Sequence, residues 1–146
     1  MLKIEMTFLM PSWVSKYASA EFDNLEGGIR NSFPTCDSYI ERNVFRNIPV
    51  CCGVISDHGG LTTYTYIRNN HFLRSLEAES SLVIAIRALG ATIIENSSFS
   101  RFKNEDLAVE LKDRHSLETD ITAVSNYWGT TDRSLIDEMI KVKLLK

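Results

Sequence analysis

Residues 40–45 read "IERNVF", residues 67–72 "IRNNHF", residues 94–99 "IENSSF" and residues 123–128 "AVSNYW". One pattern runs through all four. The first positions are Ile40, Ile67, Ile94 and Ala123, and the fourth are Asn43, Asn70, Ser97 and Asn126. The sixth are Phe45, Phe72, Phe99 and Trp128, separated by steps of 27, 27 and 29 residues. A unit this short cannot bury its own apolar face, so a fixed period of this kind implies units that stack on one another.

The residues around the motif repeat with it. Each of the first three aromatics is followed by a second apolar run ("CCGVIS", "SLVIAI", "LAVEL") and then by a polar or glycine-bearing corner ("DHGG", "RALGA", "KDRHS"). Another short run ("TTYTYI", "ATII", "TDITAV") leads into the next motif. Valine, isoleucine, threonine and tyrosine suit strands, and no unit leaves room for a ten-residue helix. Stacking then places Ile40, Ile67 and Ile94 in one column and Phe45, Phe72 and Phe99 in another. Asparagine tolerates left-handed backbone at a sharp corner, and stacked asparagines bond from coil to coil. Ser97 shortens one rung of that ladder. A leucine-rich repeat has units of similar length, but the leucine string it needs is absent.

The repeated I-x-x-N-x-F pattern resembles the right-handed parallel β-helix of pectate and pectin lyases and related solenoids. The closing stretch "AVSNYWGTTDRSLIDEMI", residues 123–140, looks like the last coil of many such chains. On that likeness Asn126 is the corner residue, Trp128 covers the column below Phe99, and Gly129 makes the turn. Thr131 or Asp132 is placed to cap a short helix, and Ser134 with Asp137 offers a capping box. The expected fold is all-β: a right-handed parallel β-helix of about four coils, with an N-terminal cap and a short C-terminal helix or cap. Residues 28–146 form the solenoid, with the closing coil at 120–146. Residues 1–27 lack the motif and read as a cap or oligomerisation segment; one period before Phe45 stands Ala18, with Lys16 at the corner position.

The 146 residues suffice for one domain. Apolar residues make up 44% and charged residues 24%, with a formal charge of -3. No basic run is present to track a phosphate backbone, so no nucleic-acid partner is expected. Near the start, Ile4, Met6, Phe8 and Met10 alternate with Lys3, Glu5, Thr7 and Leu9. Period two reads as a strand rather than as a signal core, so a cytoplasmic site is favoured over secretion. No stretch approaches a membrane span. Cys36, Cys51 and Cys52 make neither a disulfide framework nor metal-ligand spacing.

Chemistry is harder to find. The resemblance implies clustered acidic side chains with calcium and a basic residue in the lyases, or several aspartates on neighbouring coils in the hydrolases. Here Glu41, Arg68 and Glu95 stack as a charge ladder instead. Asp57 and His58, with Asp113, Arg114 and His115, mark two equivalent corners, and Arg87 stands at the corner between them. Paired histidine and aspartate can tune an imidazole, but corners two coils apart are about 10 Å distant at ordinary strand spacing. Tyr64 and Tyr66 share one face of their strand and read as outward, a strip on which a sugar could stack. His71 reads as a surface residue. Asp57, His58, Tyr64, Tyr66, Arg87, Asp113 and His115 are thus the candidate ligand residues, with no catalytic set, metal or cofactor expected. The function expected is a non-enzymatic interaction or carbohydrate-binding module. The alternatives are a polysaccharide lyase or glycoside hydrolase using the Asp57/His58 face, and a purely structural assembly protein. Self-association through the N-terminal segment or an open coil end is the other expected partnership.

Overall fold

A computed structural model describes residues 15–23, 28–31, 36–46, 52–56, 63–74, 83–102, 106–112 and 121–143. These residues form fourteen strands and one short helix. The first sheet runs in the order β1 (Ser15–Ala18), β4 (Ser38–Glu41), β7 (Thr65–Arg68), β10 (Thr92–Glu95) and β13 (Ile121–Val124). The second holds β2 (Glu21–Asp23), β5 (Val44–Arg46), β8 (His71–Leu73) and β11 (Ser98–Ser100). The third holds β3 (Ile29–Asn31), β6 (Cys52–Ser56), β9 (Ile84–Ala88), β12 (Leu107–Lys112) and β14 (Ile140–Lys143). Every pairing is parallel. The chain visits the three sheets in rotation, which makes a parallel β-helix of four complete coils and a closing turn.

The interior is built of columns. Phe22, Phe45, Phe72, Phe99 and Trp128 stack face to face, with centroids 4.9, 4.8, 5.0 and 4.9 Å apart. Those spacings are the distance between neighbouring strands, so each ring sits on the ring of the coil before it. Ile40, Ile67 and Ile94 are fully buried beside them, as are Val54 and Ile86 in the third sheet. Small residues make room for the rings. An added Cβ at Gly53 would lie 3.0 Å from the Ala85 carbonyl oxygen and 3.1 Å from the Phe72 ring. At Gly28 it would fall 1.9 Å from the Gly53 oxygen. The following coils have Ala85 and Ala108 there, both in the core. Each precedes an inward aliphatic residue, so two adjacent side chains face inward where the third sheet bends towards the aromatic stack.

The corner between the first and second sheets is held by side chains. Asn126 Oδ1 accepts from Ser97 N (2.9 Å), Ser97 Oγ from Asn70 N (3.2 Å), Asn70 Oδ1 from Asn43 N (2.9 Å) and Asn43 Oδ1 from Ala20 N (3.0 Å). Asn70 Nδ2 donates to Ile40 O (2.8 Å) and Asn126 Nδ2 to Ile94 O (2.9 Å). The left-handed residues are not these. Positive φ falls one position earlier, at Ser19, Arg42, Asn69, Asn96 and Ser125, so the recurring asparagines serve as bonding rungs while their predecessors make the bend. A second polar seam joins the first and third sheets. Asn31 Nδ2 donates to Thr65 Oγ1 (3.1 Å), and the Ser56 and Thr92 hydroxyls bond at 2.8 Å.

The solenoid starts earlier than residue 28. Residues 15–18 pair with β4, and Phe22 aligns with Phe45, a step of 23 rather than 27 residues. At the other end Gly129, with φ +80°, makes the turn; a Cβ there would lie 2.9 Å from Phe99 O. Helix α1 (Arg133–Met139) follows, with Asp132 as its N-cap accepting from Ser134 N and Ser134 Oγ. Its Met139 is buried against the core, and β14 then extends the third sheet.

Candidate functional site

The first sheet presents a flat outer face. Strand alternation sends Tyr39, Tyr66, Ile93 and Thr122 outward in one row and Glu41, Arg68, Glu95 and Val124 in the next. Tyr64, just before β7, is exposed, and its backbone N–H donates to Asp37 Oδ1 (2.8 Å). Three tyrosines therefore gather on two adjacent coils. Tyr39 and Tyr66 stack at 4.8 Å, and Tyr64 tilts against Tyr66 at 6.2 Å and 38°.

Arg68 lies across this group. Its guanidinium carbon is 4.4 Å from the Tyr66 ring centre and 5.7 Å from that of Tyr39, within the range of a cation–π contact. Its Nε lies 2.9 Å from Glu95 Oε2, yet the N–H is not aimed at the carboxylate and makes no hydrogen bond; the contact is an ion pair. The Tyr66 hydroxyl is pushed above its ordinary pKa by burial, then by the nearby Asp37 charge and Tyr39, with Arg68 pulling the other way. Around Arg68 stand three carboxylates, Asp37, Glu41 and Glu95, while Lys16 is in register with Tyr39 on the neighbouring strand β1.

The geometry alters the reading of a tyrosine strip. The Tyr39 and Tyr66 ring faces lie against each other, because their strands are spaced for stacking. Tyr64 is the splayed ring of the three. Tyr39, one period before Tyr66, joins the cluster although nothing in its local sequence singled it out.

The remaining candidates separate. Arg87 is inside β9, not on a corner. It stands between Ile55 and Glu110 on the outer side of the third sheet, its Nε 2.6 Å from Glu110 Oε2. It therefore belongs to a different sheet from the tyrosines. Asp57, His58, Asp113, Arg114 and His115 lie outside the described residues, as do residues 3–10 and Cys51. His71 is exposed on the second sheet, with Nδ1 2.7 Å from Ser98 Oγ. A buried ion pair, Arg74 with Asp106, ties the end of β8 to the start of β12, and Asp106 Oδ1 also accepts from Val83 N (3.1 Å). No periodicity announces that pair. The cavity beside it, lined by Phe45, Phe72, Arg74 and Phe102, is about 20 Å³, room for one water and not for a sugar. Among the described residues no three His, Cys, Asp or Glu side chains group as metal ligands, and no helix is long and apolar enough to cross a membrane.

No family model, curated protein or solved structure matches the chain.

Proposed function

We propose that this chain is a non-enzymatic carbohydrate-binding β-helix module whose ligand lies on the outer face of the first sheet. A short relationship to the pectate and pectin lyase-like solenoids is part of the proposal, supported by the stacked aromatic column, the asparagine ladder and the closing turn at Gly129. The observation that carries the binding reading is Tyr64, an exposed ring beside the Tyr39–Tyr66 pair and Arg68. An aromatic face gives a sugar ring apolar contact, and neighbouring charged groups orient its hydroxyls. A parallel sheet held from behind by buried columns keeps those groups in place without induced ordering. Glu41 and Glu95 are separated along the face by Arg68, which favours a binding surface over a pair of cooperating acids. With Asp37, Glu41 and Glu95 gathered around Arg68, a neutral saccharide suits this part of the face better than a uronate.

The test is titration calorimetry with neutral cello-, xylo- and chito-oligosaccharides beside oligogalacturonate. The expected result is binding of a neutral oligomer that weakens at least about tenfold, roughly 1.4 kcal/mol, in Tyr64→Ala while the melting temperature stays put. Failure of every sugar to bind, or equal binding by Tyr64→Ala, would remove the proposal.

A further inference from the structure

The closing turn ends the first sheet in an open edge. Strand β13 is the last of the first sheet, paired with β10 on one side; among the described residues no strand pairs with its other side. Thr122, Ala123 and Val124 are all exposed. Ala123 continues the column in which Ile40, Ile67 and Ile94 are fully buried, so that column surfaces here. Of the four large apolar residues most exposed among the described residues, Val124 (45%) and Tyr127 (57%) lie on this turn and Leu135 (39%) on the helix that follows it. The third sheet also ends here in a strand paired on one side only among the described residues, β14, but its sequence "IKVK" carries Lys141 and Lys143.

Open edges are ordinarily protected by charge, proline or a bulge. Residues 121–128, "ITAVSNYW", contain no charged residue and no proline. In the row Ala18, Glu41, Arg68, Glu95 and Val124 the charges sit on the three middle coils, and the row ends here at neutral Val124.

From this we infer that β13 is a self-association edge, pairing antiparallel with β13 of a second copy about a two-fold axis and joining the two first sheets into one. A second copy is the occupant the edge fits. An uncharged strand meeting itself places no like charges opposite each other, and a two-fold contact satisfies both edges at once and closes. Head-to-tail stacking would instead set β13 against β1, whose sequence "SKYA" brings Lys16 to the junction. A contact built on four residues per strand is small, so the dimer is transient and concentration-dependent. This inference is independent of the carbohydrate reading, because Val124 and Tyr64 sit at different coils.

The experiment is light scattering on the intact chain from micromolar concentrations to about one millimolar, the range in which a small interface associates. The wild type should rise towards twice 16.6 kDa and stop. Val124→Lys should shift the midpoint at least about tenfold with an unchanged melting curve, and Thr122→Lys should do the same if the first variant misfolds. Ala18→Lys, the equivalent change on β1, should leave dimerisation intact. Mass that stays at 16.6 kDa throughout, growth beyond a dimer, or equal loss in Ala18→Lys would overturn the inference.

Discussion

Replacing Asn70 by alanine should show how much the corner ladder contributes. Asn70 is fully buried. Its Oδ1 accepts from both Asn43 N (2.9 Å) and Asn43 Nδ2 (3.1 Å), and its Nδ2 donates to Ile40 O (2.8 Å). Truncation removes three hydrogen bonds from a site where water does not readily substitute. Leaving a buried polar group without its partner costs about 1–3 kcal/mol, so the set should cost about 3–6 kcal/mol after allowing for overlap. That is a large part of the roughly 5–15 kcal/mol that holds a domain together. Asn70→Ser is the matched control, because Ser97 already serves as a rung, accepting from Asn70 N and donating to Glu95 O (3.2 Å). It should cost roughly 1–2 kcal/mol. Urea denaturation followed by circular dichroism measures both. With slopes of about 2 kcal/mol per molar urea, Asn70→Ala should lower the midpoint by about 1.5–3 M and Asn70→Ser by under about 1 M. Equal midpoints for the two variants would refute the ladder as a source of stability.

Gly129→Ala combines φ +80° with a Cβ 2.9 Å from Phe99 O, and should lower stability by about 1–3 kcal/mol in the same assay. Arg74→Met removes the cation from buried Asp106 and should cost about 3–5 kcal/mol, while adding Asp106→Leu should recover most of it. Asp132 is held below its ordinary pKa by hydrogen bonds from Ser134; its lowered folded value means stability is present above the unfolded pKa and lost as pH falls through the folded one. The melting difference between wild type and Asp132→Ala should therefore shrink from pH 7 into the acid range below the ordinary carboxylate value. Tyr66 is shifted the other way, chiefly by burial. Ultraviolet titration should show a tyrosine ionising above pH 10, absent in Tyr66→Phe, and the unfolded chain should gain on the folded one as pH climbs through that interval.

Sequence and structure part company at particular residues. The columns at Ile40, Ile67 and Ile94 and at Phe45, Phe72 and Phe99 were readable because residue type and spacing recur together. Phe22 was not, since the step from it to Phe45 contracts to 23 residues, and a comparison at 27 lands on Ala18. Gly28 and Gly53 carry no packing signal in the sequence; their fit against the aromatic stack is seen only in the structure. Asn43 and Asn70 recur as bonding rungs, while the left-handed bend is at Arg42 and Asn69; composition alone does not distinguish the two uses of a corner. Arg87 looked like a corner residue because "ALG" follows it, whereas β9 continues through Ala88. For the candidate site, alternation placed Tyr64 and Tyr66 on one face, and the period would have added Tyr39. That Tyr39 and Tyr66 cover each other's faces follows only from strand spacing. Arg74 and Asp106 meet across 32 residues at two different corners, a pairing with no periodic signal.

The most direct measurement is a ¹⁵N-resolved NMR titration with a neutral oligosaccharide that binds by calorimetry. Saturable shifts should concentrate on residues 37–41, 64–68 and 93–95, the outer face of the first sheet around Tyr64 and Arg68. Shifts centred instead on Arg87 and Glu110 of the third sheet, or on Asp57 and His58, would contradict the assignment of the ligand to the tyrosine face.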